Sequence, residues 1–342
     1  MEKKSKSFIQ FAVLFSISIV LVWLSISSVW DKRTEIINSF KTANYFWVGF
    51  SIIIAFISHW LRAFRWNYLL KPLGYSVKPI NAMGAVLVGY FANYGLPRMG
   101  EISRCTLVTK YDKVPFEVAL GTVITERIVD VLLLLFIFVL TLFAQFAQLK
   151  DLANEYIFNP LLHKLTLISE NPTGLIILLI FGIACVVGFL LIRKKVSNLL
   201  KGKFGSIISG FGKGLSSIKD IDKKFQFIAL SFSIWIAYYY SLYVCFFAFT
   251  GTSHLGHSEC LVLLLFGTFG VAFSAGGLGA YQAIITGLLI ITYHIDTASA
   301  VAFPWMAWAS QFILIVVLGV ISLIILPIVN KQPNNEFPST AN

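Results

Sequence analysis

Arg98, Glu101 and Arg104 crowd into the stretch GYFANYGLPRMGEISR, residues 89–104. Arginine presents a planar fork of donors that matches phosphate or carboxylate oxygens two at a time. Two such forks flanking a carboxylate make a candidate anion-binding group with its own orienting partner. Gly89, Asn93, Gly95 and Pro97 interrupt the apolar pattern just before these charges. A helix that restarts near Arg98 exposes unpaired N–H groups and the positive end of its dipole, which favours an anion such as phosphate.

Three further groups carry polar chemistry inside apolar surroundings. TVITERIVDVLLLLF holds Glu126, Arg127 and Asp130. Glu126 and Asp130 share a helix face, and Arg127 is spaced to pair with Asp130. Charges within a span cost about 2.5–3.5 kcal/mol each on insertion scales, so they face one another or a cavity. Two roles stay open: a structural ion pair, or acids that orient cavity-facing arginines. SHWLRAFRWNYLL places Arg62 and Arg65 beside Trp60 and Trp66. They read as an interfacial anchor with snorkelling arginines, or as a second contact for a lipid head group. FSAGGLGAYQAI carries Gln282 after a second run of glycines. His254, His257 and Glu259 follow no known ligand spacing, and the glycines of SGFGKG do not complete a nucleotide-binding loop. No cofactor or metal is expected.

The elements that must position these residues are membrane helices. The chain has 342 residues, 57% hydrophobic and 13% charged, with a mean hydropathy of +0.80. Soluble domains carry about 25% charged residues. The apolar residues form continuous blocks of bilayer length, where a barrel would alternate apolar and polar residues. The fold class is therefore all-α and polytopic. Eight spans are expected at about 8–30, 45–70, 119–146, 173–192, 226–250, 259–275, 278–293 and 304–329. The shorter segment 80–97 reads as a re-entrant hairpin. The basic, apolar start is too long for a signal-peptide core and reads as a retained first helix. Setting YGLPRMGE over AGGLGAYQ brings Gly95 onto Gly276 and Glu101 onto Gln282, a possible internal repeat. Paired glycine-interrupted segments point to a transporter site near the midplane; the alternative is that the glycines only permit close helix packing.

Charge sets the orientation. With the N-terminus inside, most of the 27 Lys and Arg fall on the inner side, including the cluster from Arg193 to Lys224. The outer loops keep Lys32, Arg33, Lys41, Lys150 and Lys164. This bias places both termini in the cytoplasm and requires 80–97 to be re-entrant. It also accounts for the net charge of +11 without nucleic acid. The expected organisation is one transmembrane domain over 1–330, with a basic cytoplasmic loop at 193–225 lying on the inner leaflet. A disordered cytoplasmic tail is expected over 331–342.

The motifs LRAFRWNYLL, NYGLPRMGEISRCTLV, VITERIVDVLLLL and GGLGAYQ, in that order, are similar to those of a flippase-like integral membrane family. That family includes the transmembrane region of lysylphosphatidylglycerol synthases, and the resemblance runs from about residue 8 to 330. It implies lipid translocation, or handling of a lipid-linked substrate, in the inner cell membrane. In those synthases the region precedes a soluble aminoacyl-transferase domain, which this sequence does not contain, so aminoacyl transfer is not expected. The family often has a glutamate where this chain has Gln282, a proline near Ser274–Ala275, and no extra residue at Met99. The expected substrate is an anionic phospholipid or lipid-linked anion. Arg98 and Arg104 would hold it, oriented by Glu101, Glu126, Arg127 and Asp130, with Arg62, Arg65 and Gln282 as further contacts. The alternative is the membrane-embedded half of a lipid-modifying transferase system, with a soluble transferase partner; a homo-oligomer is the other partner considered. No nucleophile constellation favours an enzyme.

Overall fold

The computed structural model describes residues 29–95, 99–144 and 223–331, with a few isolated positions outside them. The described residues form nine α-helices and no strand. They are α1 (Arg33–Thr42), α2 (Tyr45–Leu70), α3 (Pro79–Gly95), α4 (Met99–Asp112), α5 (Phe116–Ala144), α6 (Lys224–Cys245), α7 (His257–Phe273), α8 (Ala280–Ile291) and α9 (Thr297–Val329). The expected spans near 8–30 and 173–192, most of the basic loop 193–225 and tail residues 332–342 lie outside the described residues, as does Arg98.

Helix length separates two classes. Four helical segments, Tyr45–Leu73, Phe116–Ala144, Lys224–Ala248 and Thr297–Val329, are long and apolar enough to cross a bilayer. At 1.5 Å per residue the 33 residues of α9 extend about 50 Å, beyond the roughly 30 Å of hydrocarbon. The 12 residues of α8 extend only about 18 Å. The expectation of a full span at 278–293 is therefore corrected: α8 is too short to cross alone. The protein is an all-α, multi-pass membrane protein.

The chain groups into two compact units, residues 1–133 with 221–342, and residues 134–220. Of the second, the described part is chiefly the end of α5, where Leu135, Phe138 and Phe143 are exposed. The first unit carries every site residue that the structure describes. Within it α2 and α6 run antiparallel. The Ser51 hydroxyl donates to the Ser241 carbonyl at 2.7 Å, and toward the other end Tyr68 donates to the Gln226 side chain at 3.1 Å. Asn44 starts α2 by accepting the Phe46 N–H at 3.1 Å, satisfying one orphan donor of the first turn.

Small residues set the remaining contacts. A Cβ on Gly89 would lie 2.9 Å from the Gly100 carbonyl oxygen, and one on Gly100 would strike the Gly89 carbonyl and the Asn93 amide. The α3 and α4 backbones thus approach at a distance only glycine allows. The second break holds Gly276, Gly277 and Gly279 at φ of +60°, +87° and +83°. Glycine reaches this region without steric cost, so the chain reverses there and α7 packs against α8. Apolar side chains such as Phe46, Ile324 and Ile328 point outward, which a lipid solvent accepts.

Candidate functional site

Three helices converge on a buried ionic cluster. Arg62 and Arg65 lie one turn apart on α2, so they share a face. Arg104 comes from α4, and Glu126 and Asp130 come from α5. Arg62 Nη1 meets Asp130 Oδ2 at 2.7 Å, and Arg65 Nη1 meets Asp130 Oδ1 at 3.0 Å. Arg65 Nη2 reaches Glu126 Oε1 at 3.5 Å, while Arg104 Nη1 meets Glu126 Oε2 at 2.6 Å. The side chains of Arg62, Arg65 and Glu126 are 4%, 0% and 1% exposed. The reading of Arg62 and Arg65 as snorkelling anchors is thereby corrected. Their guanidinium groups turn inward, because carboxylates on a neighbouring helix meet them there.

The described cluster has three guanidinium groups and two carboxylates, so one positive charge is left without a carboxylate. Arg104 is where that surplus is most available. Its Nε and Nη2 find no hydrogen-bond partner among the described residues. Its guanidinium stacks 3.7 Å from the centre of the Trp66 ring, and Trp66 Nε1 donates to Thr122 Oγ1 at 2.8 Å. The ring is thus pinned as a platform, and cation–π attraction holds the charge over its face.

Arg104 lines a small pocket with a cavity volume of about 20 Å³, together with Tyr90, Asn93, Glu101, Arg127, Val86 and Val123. A cavity needs about 10–15 Å³ to hold a water, so this one admits a water or a single ligand oxygen next to Arg104. Arg127 Nη2 meets Glu101 Oε1 at 2.9 Å across the pocket, with the two side chains 47% and 27% exposed. Arg127 therefore pairs with α4 rather than with Asp130 on its own helix, which corrects the expected local pair. Asn93 Oδ1 accepts the Gly100 N–H at 2.7 Å, which fixes the start of α4 and hence the position of Glu101 and Arg104.

Among the sequence candidates, the structure gathers Arg62, Arg65, Arg104, Glu126 and Asp130 in the cluster, and Glu101 with Arg127 at the pocket. Gln282 stands apart. It is fully buried at the start of α8, where its Oε1 accepts the Gly279 N–H at 2.7 Å. Four residues were missed: Trp66 as a guanidinium platform, Tyr90, Asn93 and His59. The polar side chains of Tyr90 and Asn93 inside an apolar helix were the available signal. His59 is buried, its ring lies 5.1 Å from that of Tyr90, and neither ring nitrogen makes a hydrogen bond among the described residues.

Among the described residues, no group of three or more His, Cys, Asp or Glu is placed to hold a metal. Cys105, Cys245 and Cys260 are buried and free. His257 Nδ1 pairs with the Tyr239 hydroxyl at 2.6 Å, and Glu259 accepts the Gly256 N–H at 2.9 Å to start α7. What the arginine pocket offers is fixed positive charge and bidentate donors, the equipment for holding an anion.

Comparison with known proteins bears on this site. The family model described as "Lysylphosphatidylglycerol synthase TM region" matches residues 9–319. Two similar relatives come from Methanocaldococcus jannaschii. UPF0104 membrane protein MJ1595 is 31% identical over 131 residues, 36% of this chain and 39% of that protein. UPF0104 membrane protein MJ1078 is 24% identical over 257 residues, 72% of this chain and 99% of that protein. The chain thus spans well under half of the first relative and nearly all of the second. No solved structure matches.

Proposed function

The chain belongs to the lysylphosphatidylglycerol synthase TM region family, and from that premise we propose that it is a flippase-like lipid transporter. The phosphate of an anionic phospholipid or lipid-linked substrate docks at the pocket beside Arg104 and Arg127 and places an oxygen in it. The observation that carries this reading is the surplus positive charge of the arginine cluster, which reaches a small pocket at Arg104, whose Nε and Nη2 make no hydrogen bond among the described residues. A surplus of buried charge is costly. An arriving phosphate oxygen supplies both the missing charge and the missing acceptors. Glu101 orients Arg127, and Glu126 orients Arg104, so both forks are set before the anion arrives. Pre-set donors reduce the ordering cost of binding.

The proposed setting is the cytoplasmic membrane, with one transmembrane domain over 1–330, both termini inside and a cytoplasmic tail after it. The asymmetry of Lys and Arg supports that orientation. The test is translocation of labelled phosphatidylglycerol and phosphatidylcholine in proteoliposomes, comparing the unmodified protein with Arg104→Lys. Lysine keeps the charge and loses the fork. The expected result is faster movement of phosphatidylglycerol, slowed by the substitution. Equal rates for both proteins, or no movement of either lipid, would count against it. The family's description as a region of a synthase favours one second reading, that the pocket presents a lipid to a soluble transferase. In that case lipid binding persists without translocation, and product forms only when a transferase is added.

A further inference from the structure

The two breaks share one register, and the structure extends it over two halves. The constant shift that pairs Gly95 with Gly276 and Glu101 with Gln282 also pairs the start of α4, Met99, with the start of α8, Ala280. It pairs the start of α5, Phe116, with the start of α9, Thr297. It pairs Lys113 with His294, the two non-glycine residues of positive φ among those described, at 60° and 52°. A residue of this type is uncommon at such a conformation, and each here turns the chain into a long helix. The close-approach glycines repeat too: Gly89 lies against Gly100, and Gly270 against Tyr281. Each half therefore runs long helix, short helix, break, short helix, left-handed residue, long helix.

Helix α9 measures where the two hairpins reach. The first begins at its C-terminal end, where Asn81 and Asn330 exchange amide hydrogen bonds of 3.0 and 2.7 Å. Along α3, Gly84 then packs on Leu326 and Phe91 on Gly319. At its tip the Tyr94 ring meets Phe312 at 4.9 Å and Trp308 at 6.4 Å, near the middle of α9. The second hairpin approaches from the other end. The Thr286 hydroxyl donates to the Ala300 carbonyl at 3.2 Å, and at the break Trp308 Nε1 donates to the Gly276 carbonyl at 2.8 Å. The Tyr94 ring lies directly against Gly276. The two tips thus meet each other on the midpoint of a membrane-crossing helix, and the first helices of the halves, α2 and α6, run antiparallel.

We infer that the chain is an inverted repeat whose two hairpins dip into the membrane from opposite faces and meet tip to tip at Tyr94, Gly276 and Trp308. Halves related in this way can open one central site to either side in turn by moving one hairpin against the other. The pocket is lined by α3, α4 and α5, all from the first half. That this is a route for a lipid head group rests on the function proposed above; the topology does not.

The experiment reads topology without any substrate. In a cysteine-free background, single cysteines are placed at Lys78 and Lys110, flanking the first hairpin, and at His254 and His294, flanking the second. A membrane-impermeant maleimide is applied to intact cells and to inverted vesicles. Lys78→Cys and Lys110→Cys are expected to label from one face only, and His254→Cys and His294→Cys from the opposite face only. Two cysteines of one hairpin reacting from different faces, or all four reacting from the same face, would overturn the inverted repeat. The tip contact is tested by a short bifunctional thiol reagent on Tyr94→Cys with Gly276→Cys, the two tip residues in contact, expected to cross-link within one chain. Failure to cross-link, in a protein whose flanking cysteines label as expected, would remove the tip-to-tip meeting. Either result stands whether or not any lipid is moved.

Discussion

Glu126→Gln is the change whose effect follows most directly from the geometry. The substitution keeps the shape of the side chain and removes one charge from a carboxylate that is 1% exposed. That carboxylate meets Arg104 at 2.6 Å and Arg65 at 3.5 Å. Arg65 keeps Asp130 at 3.0 Å, so the loss falls mainly on Arg104. Breaking a buried pair by neutralising one partner costs about 3–5 kcal/mol, because the other charge stays buried. At about 2–4 °C per kcal/mol for a large domain, the midpoint of thermal unfolding in detergent should fall by about 6–20 °C. Glu101→Gln is the internal control. Its pair with Arg127 is partly exposed, and screened pairs contribute about 0–1 kcal/mol, so its midpoint should move little. The variant also raises the unbalanced charge of the cluster. Added anionic lipid should therefore recover more of the lost midpoint in Glu126→Gln than it adds to the unmodified protein. Equal midpoints for the two variants would refute the reasoning, because the buried cluster would then not be holding α2, α4 and α5 together.

Three further expectations rest on separate contacts. Gly100→Ala forces a Cβ into the Gly89 carbonyl and the Asn93 amide, and overpacking of this kind costs about 1–3 kcal/mol; Gly121→Ala, with open space around it, should be neutral or slightly stabilising in the same melt. Asn93→Ala leaves the Gly100 N–H without its acceptor, costing about 1 kcal/mol of stability and loosening Glu101 and Arg104 together, so anionic-lipid binding should weaken when measured in nanodiscs. Trp66→Leu removes the platform under Arg104 and its bond to Thr122; a desolvated cation–π contact is worth about 2 kcal/mol, and lipid affinity should drop while Trp60→Leu, on an exposed ring, leaves it unchanged.

The sequence by itself determined the solvent, and the solvent determined the class of fold. Continuous apolar blocks leave lipid as the medium, and lipid admits only structures that satisfy their backbone internally. It also located both breaks, because glycine and proline act on the backbone locally: α4 does begin just after Pro97, and the second run of glycines does adopt left-handed angles. The shared helix face of Glu126 and Asp130 followed from spacing alone. What only the tertiary structure decided was which charge meets which. Spacing allowed Arg127 to pair with Asp130, yet Asp130 is taken by Arg62 and Arg65 from α2, and Arg127 crosses to Glu101 on α4. Arg62 and Arg65 had the reach to snorkel, but α2 turns them toward α5. A helix sequence fixes the angle between its own side chains. It does not fix the rotation of that helix against its neighbours. Here that rotation is set by close contacts such as Gly89 on Gly100 and Leu326 on Gly84, between residues far apart in the chain or across a break, and those contacts place one arginine with charge to spare beside a pocket.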